Sequence, residues 1–154
     1  MKNLPVRKNN RLPNFDYSNA GYYFITVCVK NRHEILWDIP VGAAFGRPQS
    51  LALSEIGAKI DSEINKIEHI YDNVKIDNYV IMPNHVHLII RLVDMSREGG
   101  RPKAAPTISR IMNQFKGSIT KQIGFSIWQK LFHDHIIRNE EDYIRIWQYM
   151  TSTW

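Results

Sequence analysis

Two histidines, His85 and His87, stand one residue apart at the head of an apolar run that continues to Ile90. Residues i and i+2 of a β-strand project from the same face, so we expect both imidazoles to point together, with Val86 and Leu88 packed behind them. Two imidazoles on a rigid strand can bind one divalent cation, because neutral imidazole is a common metal ligand. The spacing therefore indicates a metal site, although such pairs also occur as hydrogen-bonded core residues.

A second pair with the same spacing, His133 and His135, competes with the first as a metal site. We favour His85 and His87 because their strand is expected to be central and its flanks are strongly apolar. The segment around His133 suits structural hydrogen bonding or contact with a substrate. Asp134 should point to the opposite face if this segment is a strand.

The last predicted helix carries two tyrosines with different expected roles. Its core stripe has the spacing i, i+3, i+4, i+7 and consists of Tyr143, Ile146, Trp147 and Met150. At about 100° per residue, Tyr149 lies roughly 110° from the centre of that stripe. Tyr143 is therefore the structural tyrosine. Tyr149 lies on the flank, where its hydroxyl can reach across a groove or its ring can simply contribute to packing.

The pattern of apolar and turn-forming residues predicts the elements that position these side chains. The first predicted elements are a strand at 22–29 and a helix that is capped by Ser54 and ends near Ile70. Strands at 74–82 and 85–92 follow, joined by a turn at Pro83 and Asn84. The remaining elements are a helix with Ile108, Ile111, Met112, Phe115 and Ile119 on one face, a strand within 127–137, and a helix beginning at Asn139. The first six match a ferredoxin-like βαββαβ sandwich of the α+β class, with an antiparallel sheet covered by helices on one face. The other face, which carries the two histidines, is where we expect a ligand.

Composition narrows the class of protein. The 154 residues suggest a single domain, 1–154, with a basic arm at 1–20 and a flexible loop at 94–106. Twenty Lys and Arg against fifteen Asp and Glu give a formal charge of +5, which permits binding to a polyanion without requiring it. The single cysteine, Cys28, cannot form an intrachain disulfide and is expected to be buried. With no signal-like or membrane-spanning run, we expect a soluble, cytoplasmic protein.

Four segments agree in order and spacing with one known family. They are 16–28, Met82–His87, 132–139 and 142–150. Together they resemble the single-tyrosine HUH transposases, which carry a His-hydrophobic-His metal motif, and within them the REP-associated tyrosine transposases. In that resemblance 82–87 matches the metal motif, and 132–150 matches the segment leading to the nucleophilic tyrosine.

The resemblance implies metal-dependent cleavage and rejoining of single-stranded DNA, often at hairpins formed by short palindromic repeats. Tyr149 would be the nucleophile and would form a 5′-phosphotyrosine, while His85 and His87 would bind Mg²⁺ or Mn²⁺. The partner would be single-stranded or hairpin DNA, the location would be the nucleoid, and no membrane would be involved. Relatives act as dimers or as single chains, so a homodimer is one of two expectations.

Four basic residues are candidate phosphate contacts, although such charges also occur on solvated faces. They are Lys8 and Arg11 on the arm, Lys116 on the second long helix and Arg138 beside the tyrosine helix. The sequence departs from the family after Tyr149, because Thr153 stands where a better metal-binding polar residue is usual. A truncated, catalytically impaired relative that acts only as a nucleic-acid-binding module is therefore the alternative. A metal-dependent phosphodiesterase that uses water as its nucleophile is a third reading.

Overall fold

The structure, a computed structural model, describes residues 20–38, 52–93 and 107–152. Its elements are β1 (Gly21–Cys28), β2 (Trp37–Asp38), β3 (Ala52–Leu53), α1 (Glu55–Ile70), β4 (Val74–Ile81), β5 (His85–Leu92), α2 (Ile108–Ile123), β6 (His133–Ile137) and α3 (Glu140–Ser152). The predicted strand within 127–137 is confined to its last five residues, and the short β2–β3 pair was not predicted. The predicted loop at 94–106 lies outside the described residues, as does the arm except for residue 20.

The four long strands form one antiparallel sheet in the order β4-β5-β1-β6. Each neighbouring pair is antiparallel, and the two central strands, β5 and β1, are not adjacent in the chain. This order and the βαββαβ succession confirm the predicted ferredoxin-like α+β sandwich. Helices α1 and α2 cover one face of the sheet, and α3 covers part of the other.

Side-chain alternation along β1 separates two cores. Tyr23, Ile25 and Val27 are nearly inaccessible and pack in the large core beneath α1 and α2. Phe24 and Thr26 point to the opposite face, the face of α3. The small core there consists of Ile89, Ile137, Ile146 and Met150. Burying each of the two α3 side chains stabilises the docked helix by about 1.5–3 kcal/mol.

The segment between β1 and β2 supports the turn that precedes His85. The backbone N–H of Leu36 donates to the carbonyl of Pro83 at 3.0 Å, and Trp37 Nε1 donates to the carbonyl of Ile81 at 2.6 Å. The same segment is tied to α1, because the N-cap Ser54 donates through its hydroxyl to the carbonyl of Ile35 at 2.6 Å. The start of α1 therefore stabilises this turn indirectly, through residues 35–37.

Helix α3 begins with a side-chain cap and buries a face that differs from the predicted one. Asn139 Oδ1 accepts from the backbone N–H of Asp142 at 2.8 Å, as an N-cap residue does. Ile146 and Met150 are buried as predicted, but Trp147 is 38% exposed, so its placement in the core stripe was wrong.

The buried face of α3 includes Asp142 in place of Trp147. The Asp142 carboxylate accepts from His135 Nε2 at 2.7 Å and from Arg145 Nη2 at 2.8 Å. Burial by itself raises the pKa of Asp142, but these two hydrogen bonds outweigh burial and hold the pKa below its ordinary value. The bond to His135 joins the Asp142 face of α3 to β6 and leaves Trp147 on the exposed side, whereas the bond to Arg145 lies within the helix. None of the described helices has the length and hydrophobicity that a membrane span requires.

Two glycines in helices give a matched test of this packing. A Cβ on Gly57 of α1 would overlap the carbonyl oxygen of Leu36, whereas a Cβ on Gly117 of α2 would meet no atom within 4 Å. We expect Gly57→Ala to lower the free energy of unfolding by about 1–3 kcal/mol through overpacking. Gly117→Ala should raise it by up to about 1 kcal/mol through helix propensity. Urea unfolding followed by circular dichroism measures both, and equal effects would contradict the close packing of α1 on Leu36.

Candidate active site

The two imidazoles of His85 and His87 converge on one point. They lie on the same face of β5, opposite Cys28 and Thr26 of β1 in the strand register. Their Nε2 atoms are 3.1 Å apart, and their ring centroids are 4.6 Å apart. Val86 lies between them in sequence and is buried in the core on the other face. The period-two prediction of this geometry agrees with the structure.

Hydrogen bonds at the Nδ1 atoms orient both rings. Asn84 Nδ2 donates to the carbonyl of Arg32 at 3.4 Å, so its Oδ1 faces His85 Nδ1 at 2.6 Å and must accept that proton. His85 Nε2 therefore carries a lone pair. His87 Nδ1 lies 2.9 Å from the hydroxyl of Thr26, which can accept or donate. When the hydroxyl accepts, the proton of His87 is on Nδ1. Nε2 of His87 then also presents a lone pair, toward Nε2 of His85.

Both imidazoles are kept neutral by their surroundings. Burial, followed by the charge of His85, lowers the pKa of His87 to about 4. Burial, followed by the positive charge of Arg32, lowers the pKa of His85. Only neutral imidazole can act as a metal ligand, so at neutral pH both rings have the charge state that binding requires.

The pair fits a divalent cation as part of its ligand set. Two adjacent ligands of an octahedral cation, each about 2.1 Å from it, are about 3 Å apart, which matches the observed separation of the Nε2 atoms. Among the described residues no group of three His, Cys, Asp or Glu side chains could hold a metal. The remaining positions would therefore fall to oxygen atoms of water or phosphate, which Mg²⁺ and Mn²⁺ accept.

Tyr149 lies over the histidine pair. Its ring is 5.6 Å from the ring of His87 and 6.4 Å from that of Phe24, in both cases edge to face. The side chain is 49% exposed, so it is not sealed in the interior. The flank position expected from the helical period is thus the position observed.

Tyr143 is in a contrasting environment one turn and a half earlier in α3. Its hydroxyl donates to Asp77 Oδ2 at 2.9 Å, and its ring packs edge to face on Tyr22 at 5.4 Å. Burial, followed by the hydrogen bond to Asp77, raises the pKa of Tyr143 to about 12. A phenol that keeps its proton and donates to a carboxylate is poorly suited to be a nucleophile. The structural position expected for Tyr143 agrees with these contacts.

A cleft of about 400 Å³ joins these side chains. Its lining consists of Phe24, Thr26, Cys28, Arg32, His85, His87, His133 and Tyr149. Arg32 did not emerge from the sequence analysis, because nothing in its spacing links it to His85. His133 enters the cleft from β6, where it pairs with Thr26 in register, in line with the expected substrate contact. Its neighbour His135 makes the structural hydrogen bond to Asp142 instead.

The two basic residues proposed from sequence that the structure describes, Lys116 and Arg138, do not line this cleft. Lys116 lies on α2, across the sheet, and its Nζ donates to the carbonyls of Gln129 at 2.8 Å and Lys130 at 3.1 Å. This contact is structural, and it ties α2 to the segment before β6. Arg138 is exposed and lines a separate cleft of about 360 Å³ with Tyr22 and Tyr143. Lys8, Arg11 and Thr153 lie outside the described residues.

Comparisons with known proteins establish the fold. No family model matches the chain. An uncharacterized protein of Haemophilus influenzae is 29% identical over 163 residues, which cover 95% of this chain and 87% of the relative. A solved REP-associated tyrosine transposase, bound to a REP hairpin, superposes with a TM-score of 0.62 at 23% identity over 91% of this chain and 70% of its own. A candidate transposase from Deinococcus radiodurans R1 superposes with a TM-score of 0.51 at 14% identity, and the match covers 92% of this chain and 95% of that protein. The chain therefore has the fold of these proteins.

The lowered pKa of His87 gives a test of its buried, neutral state. Between pH 6.5 and about 4 the unfolded chain binds a proton at this residue and the folded chain does not, so acidification favours unfolding. We expect the metal-free protein to lose up to about 3 kcal/mol of stability from this residue across that window. Urea unfolding in EDTA at several pH values should show a smaller pH dependence for His87→Leu than for wild type. Replacing the exposed His69 by Leu is the control, and an unchanged pH dependence in His87→Leu would contradict the burial.

Proposed function

We propose that this chain is a metal-dependent single-stranded DNA endonuclease and strand transferase of the tyrosine transposase type. The observation that carries the proposal is the position of the exposed Tyr149 phenol above two neutral imidazoles whose Nε2 atoms converge. A nucleophile and a pair of metal ligands then face one cleft, so that both can engage the same phosphodiester. The shared fold with a REP-associated tyrosine transposase, itself bound to a REP hairpin, supports hairpin DNA as the substrate.

The reaction that this arrangement supports is attack of a phenol oxygen on phosphorus. Tyr149 Oη forms a bond to the phosphorus, the bond from phosphorus to the 3′ oxygen breaks, and that oxygen leaves with a proton. The phenol proton passes to solvent in the open cleft. The product is a 5′-phosphotyrosine and a free 3′-hydroxyl, and the reverse reaction rejoins the strand without a nucleotide cofactor.

His85 and His87 would hold Mg²⁺ or Mn²⁺ in this reaction. When bound, the cation supplies Lewis-acid stabilisation to the negative charge that develops on the phosphate oxygens. The part of the protein is to orient the rings: Thr26 and Asn84 fix the two Nδ1 atoms and thereby aim both Nε2 atoms into the cleft.

The two tyrosines of α3 give a matched pair of variants. With a panel of hairpin oligonucleotides and Mn²⁺, we expect wild type to form a covalent adduct that survives denaturing electrophoresis. Tyr149→Phe should form none, because it lacks the attacking oxygen. Tyr143→Phe should still form it, at a cost of about 1–3 kcal/mol in stability for the unpaired Asp77. Circular dichroism establishes that both variants are folded.

The alternative functions predict different outcomes of the same experiment. A binding module would bind the hairpins in a salt-dependent way and form no adduct with or without metal. A phosphodiesterase that uses water would cleave DNA in Tyr149→Phe and lose cleavage in His85→Ala. Either result would contradict the proposed nucleophile. A homodimer stays a prediction that size-exclusion chromatography with light scattering can test.

The hydrogen bond from His85 to Asn84 gives a test of the metal site without catalysis. Removing a group that orients a ligating histidine usually lowers metal affinity by about 10- to 100-fold. We expect Asn84→Ala to weaken Mn²⁺ binding by that factor, measured by the loss of the electron paramagnetic resonance signal of free Mn²⁺. Asn113→Ala, on the exposed side of α2, is the control. Equal affinities for wild type and Asn84→Ala would argue against His85 as a ligand.

A further inference from the structure

The turn after β1 holds two consecutive residues in the left-handed region of backbone conformation. Asn31 has φ 56° and Arg32 has φ 54°, and they are the non-glycine residues with positive φ in the described part of the chain. Asparagine adopts this region readily, but for arginine the conformation costs about 1 kcal/mol of free energy or more. Strain of this kind persists where surrounding contacts impose it, and it gathers at functional sites.

The contacts that impose this conformation belong to the histidine site. The backbone N–H of Val29 donates to the carbonyl of Asn84 at 2.9 Å, and Asn84 Nδ2 donates to the carbonyl of Arg32 at 3.4 Å. On the other side, the backbone N–H of Lys30 donates to the carbonyl of Ile127 at 2.7 Å. One residue, Asn84, therefore contacts the ring of His85 through Oδ1 and the turn that carries Arg32 through its backbone carbonyl and Nδ2.

Arg32 brings a positive charge to the cleft, and none of the described residues forms an ion pair with it. It lines the cleft with the histidine pair and Tyr149. No salt bridge within the described residues joins its guanidinium to a carboxylate, and the cleft lining there contains no Asp or Glu. A guanidinium presents a planar fork of donors that matches two oxygens of a phosphate. Arg32 is exposed, so water solvates its charge in the free protein, and the neighbouring neutral imidazoles leave the guanidinium available to an anionic ligand.

We propose that Arg32 binds the non-bridging oxygens of the DNA phosphate that Tyr149 attacks. The inference rests on the proposed function, because it assigns a further residue to the same reaction. The guanidinium would hold the phosphate over the histidine pair and would stabilise the charge that increases on those oxygens as the phenol oxygen approaches phosphorus. The strained turn serves this role, because it directs the side chain of residue 32 into the cleft.

Lys30 provides a matched control for Arg32. It lies on the same turn, is exposed, and is not part of the cleft lining. Lys30→Gln and Arg32→Gln each remove one positive charge, so they change long-range attraction to DNA by a similar amount. Arg32→Lys keeps the charge and removes the fork. Any difference among these variants therefore reports the local contact.

The first measurement is DNA binding in EDTA, in a Tyr149→Phe background that cannot react. Fluorescence anisotropy at several salt concentrations gives the affinity and its salt dependence for the hairpin that yields most adduct, or for an oligothymidylate if none does. Removing one phosphate contact should lower the slope of log K against log salt by about 0.7. We expect this reduction in Arg32→Gln, and little change in Lys30→Gln.

The second measurement is single-turnover adduct formation at saturating DNA. We expect Arg32→Gln to lower the rate at least tenfold, in the range that loss of one charge-stabilising donor produces, and Arg32→Lys to be intermediate. Lys30→Gln should stay within about twofold of wild type. At saturating DNA the rate of adduct formation no longer depends on the affinity for DNA. A lower rate in Arg32→Gln than in Lys30→Gln would therefore report a role in the reaction and not in long-range attraction to DNA.

Three outcomes decide between the two proposals. If wild type forms adduct and Arg32→Gln behaves like Lys30→Gln in both measurements, the role of Arg32 is wrong and the proposed function stands. If wild type forms no adduct with any hairpin, the proposed function fails and the assignment of Arg32 to the attacked phosphate fails with it, even where a lower salt slope in Arg32→Gln shows a contact to some phosphate. If wild type binds no DNA at all, both proposals are overturned.

Discussion

The site depends on hydrogen bonds at the far side of each imidazole. A histidine pair on one strand face can adopt many ring orientations, and only a few of them bring the two Nε2 atoms together. Thr26 on the neighbouring strand and Asn84 in the preceding turn each hold one Nδ1 atom, which leaves the Nε2 atoms 3.1 Å apart. These contacts require the β1–β5 register and the Pro83–Asn84 turn, and the turn in turn rests on Leu36 and the start of α1. Much of the fold is thus needed to place two nitrogen atoms.

Helix α3 covers part of one face of the sheet and also carries the Tyr149 phenol, and it uses a different face for each role. Ile146 and Met150 bury apolar surface against β5 and β6, while Asp142 and Tyr143 add polar contacts to β6 and β4. These groups fix the helix at its first two turns and along its core stripe. Tyr149, a flank residue near the end of the helix, is 49% exposed, and its ring lies 5.6 Å from the ring of His87. A tyrosine so placed keeps its oxygen accessible to a substrate.

The sequence could predict those features that depend on periodicity. The shared direction of His85 and His87 follows from period two, the flank position of Tyr149 follows from 3.6 residues per turn, and the ferredoxin-like fold follows from the order of elements. It could not predict features that depend on pairing between distant segments. Trp147 has core spacing, but the bond of Asp142 to His135 of β6 holds α3 in a rotation that leaves Trp147 exposed. Lys116 was a candidate phosphate contact, and its bonds to the carbonyls of the segment before β6 could not be predicted from the sequence. Arg32 could not be linked to the site without the left-handed turn and its bond to Asn84.

Under the proposed function, the charges of the cleft would make the binding of the cation and the binding of DNA depend on each other. The described lining offers three histidines and an arginine but no carboxylate, so it does little to offset the charge of a divalent cation. A protein site that holds such a cation alone usually supplies anionic oxygens. Here a phosphate would supply them, and it would also neutralise Arg32. If each ligand improves the affinity for the other, the coupling must be reciprocal, and the metal ligands would be complete only when a phosphodiester lies in the cleft. In such a site the charges would be balanced only when the substrate is bound.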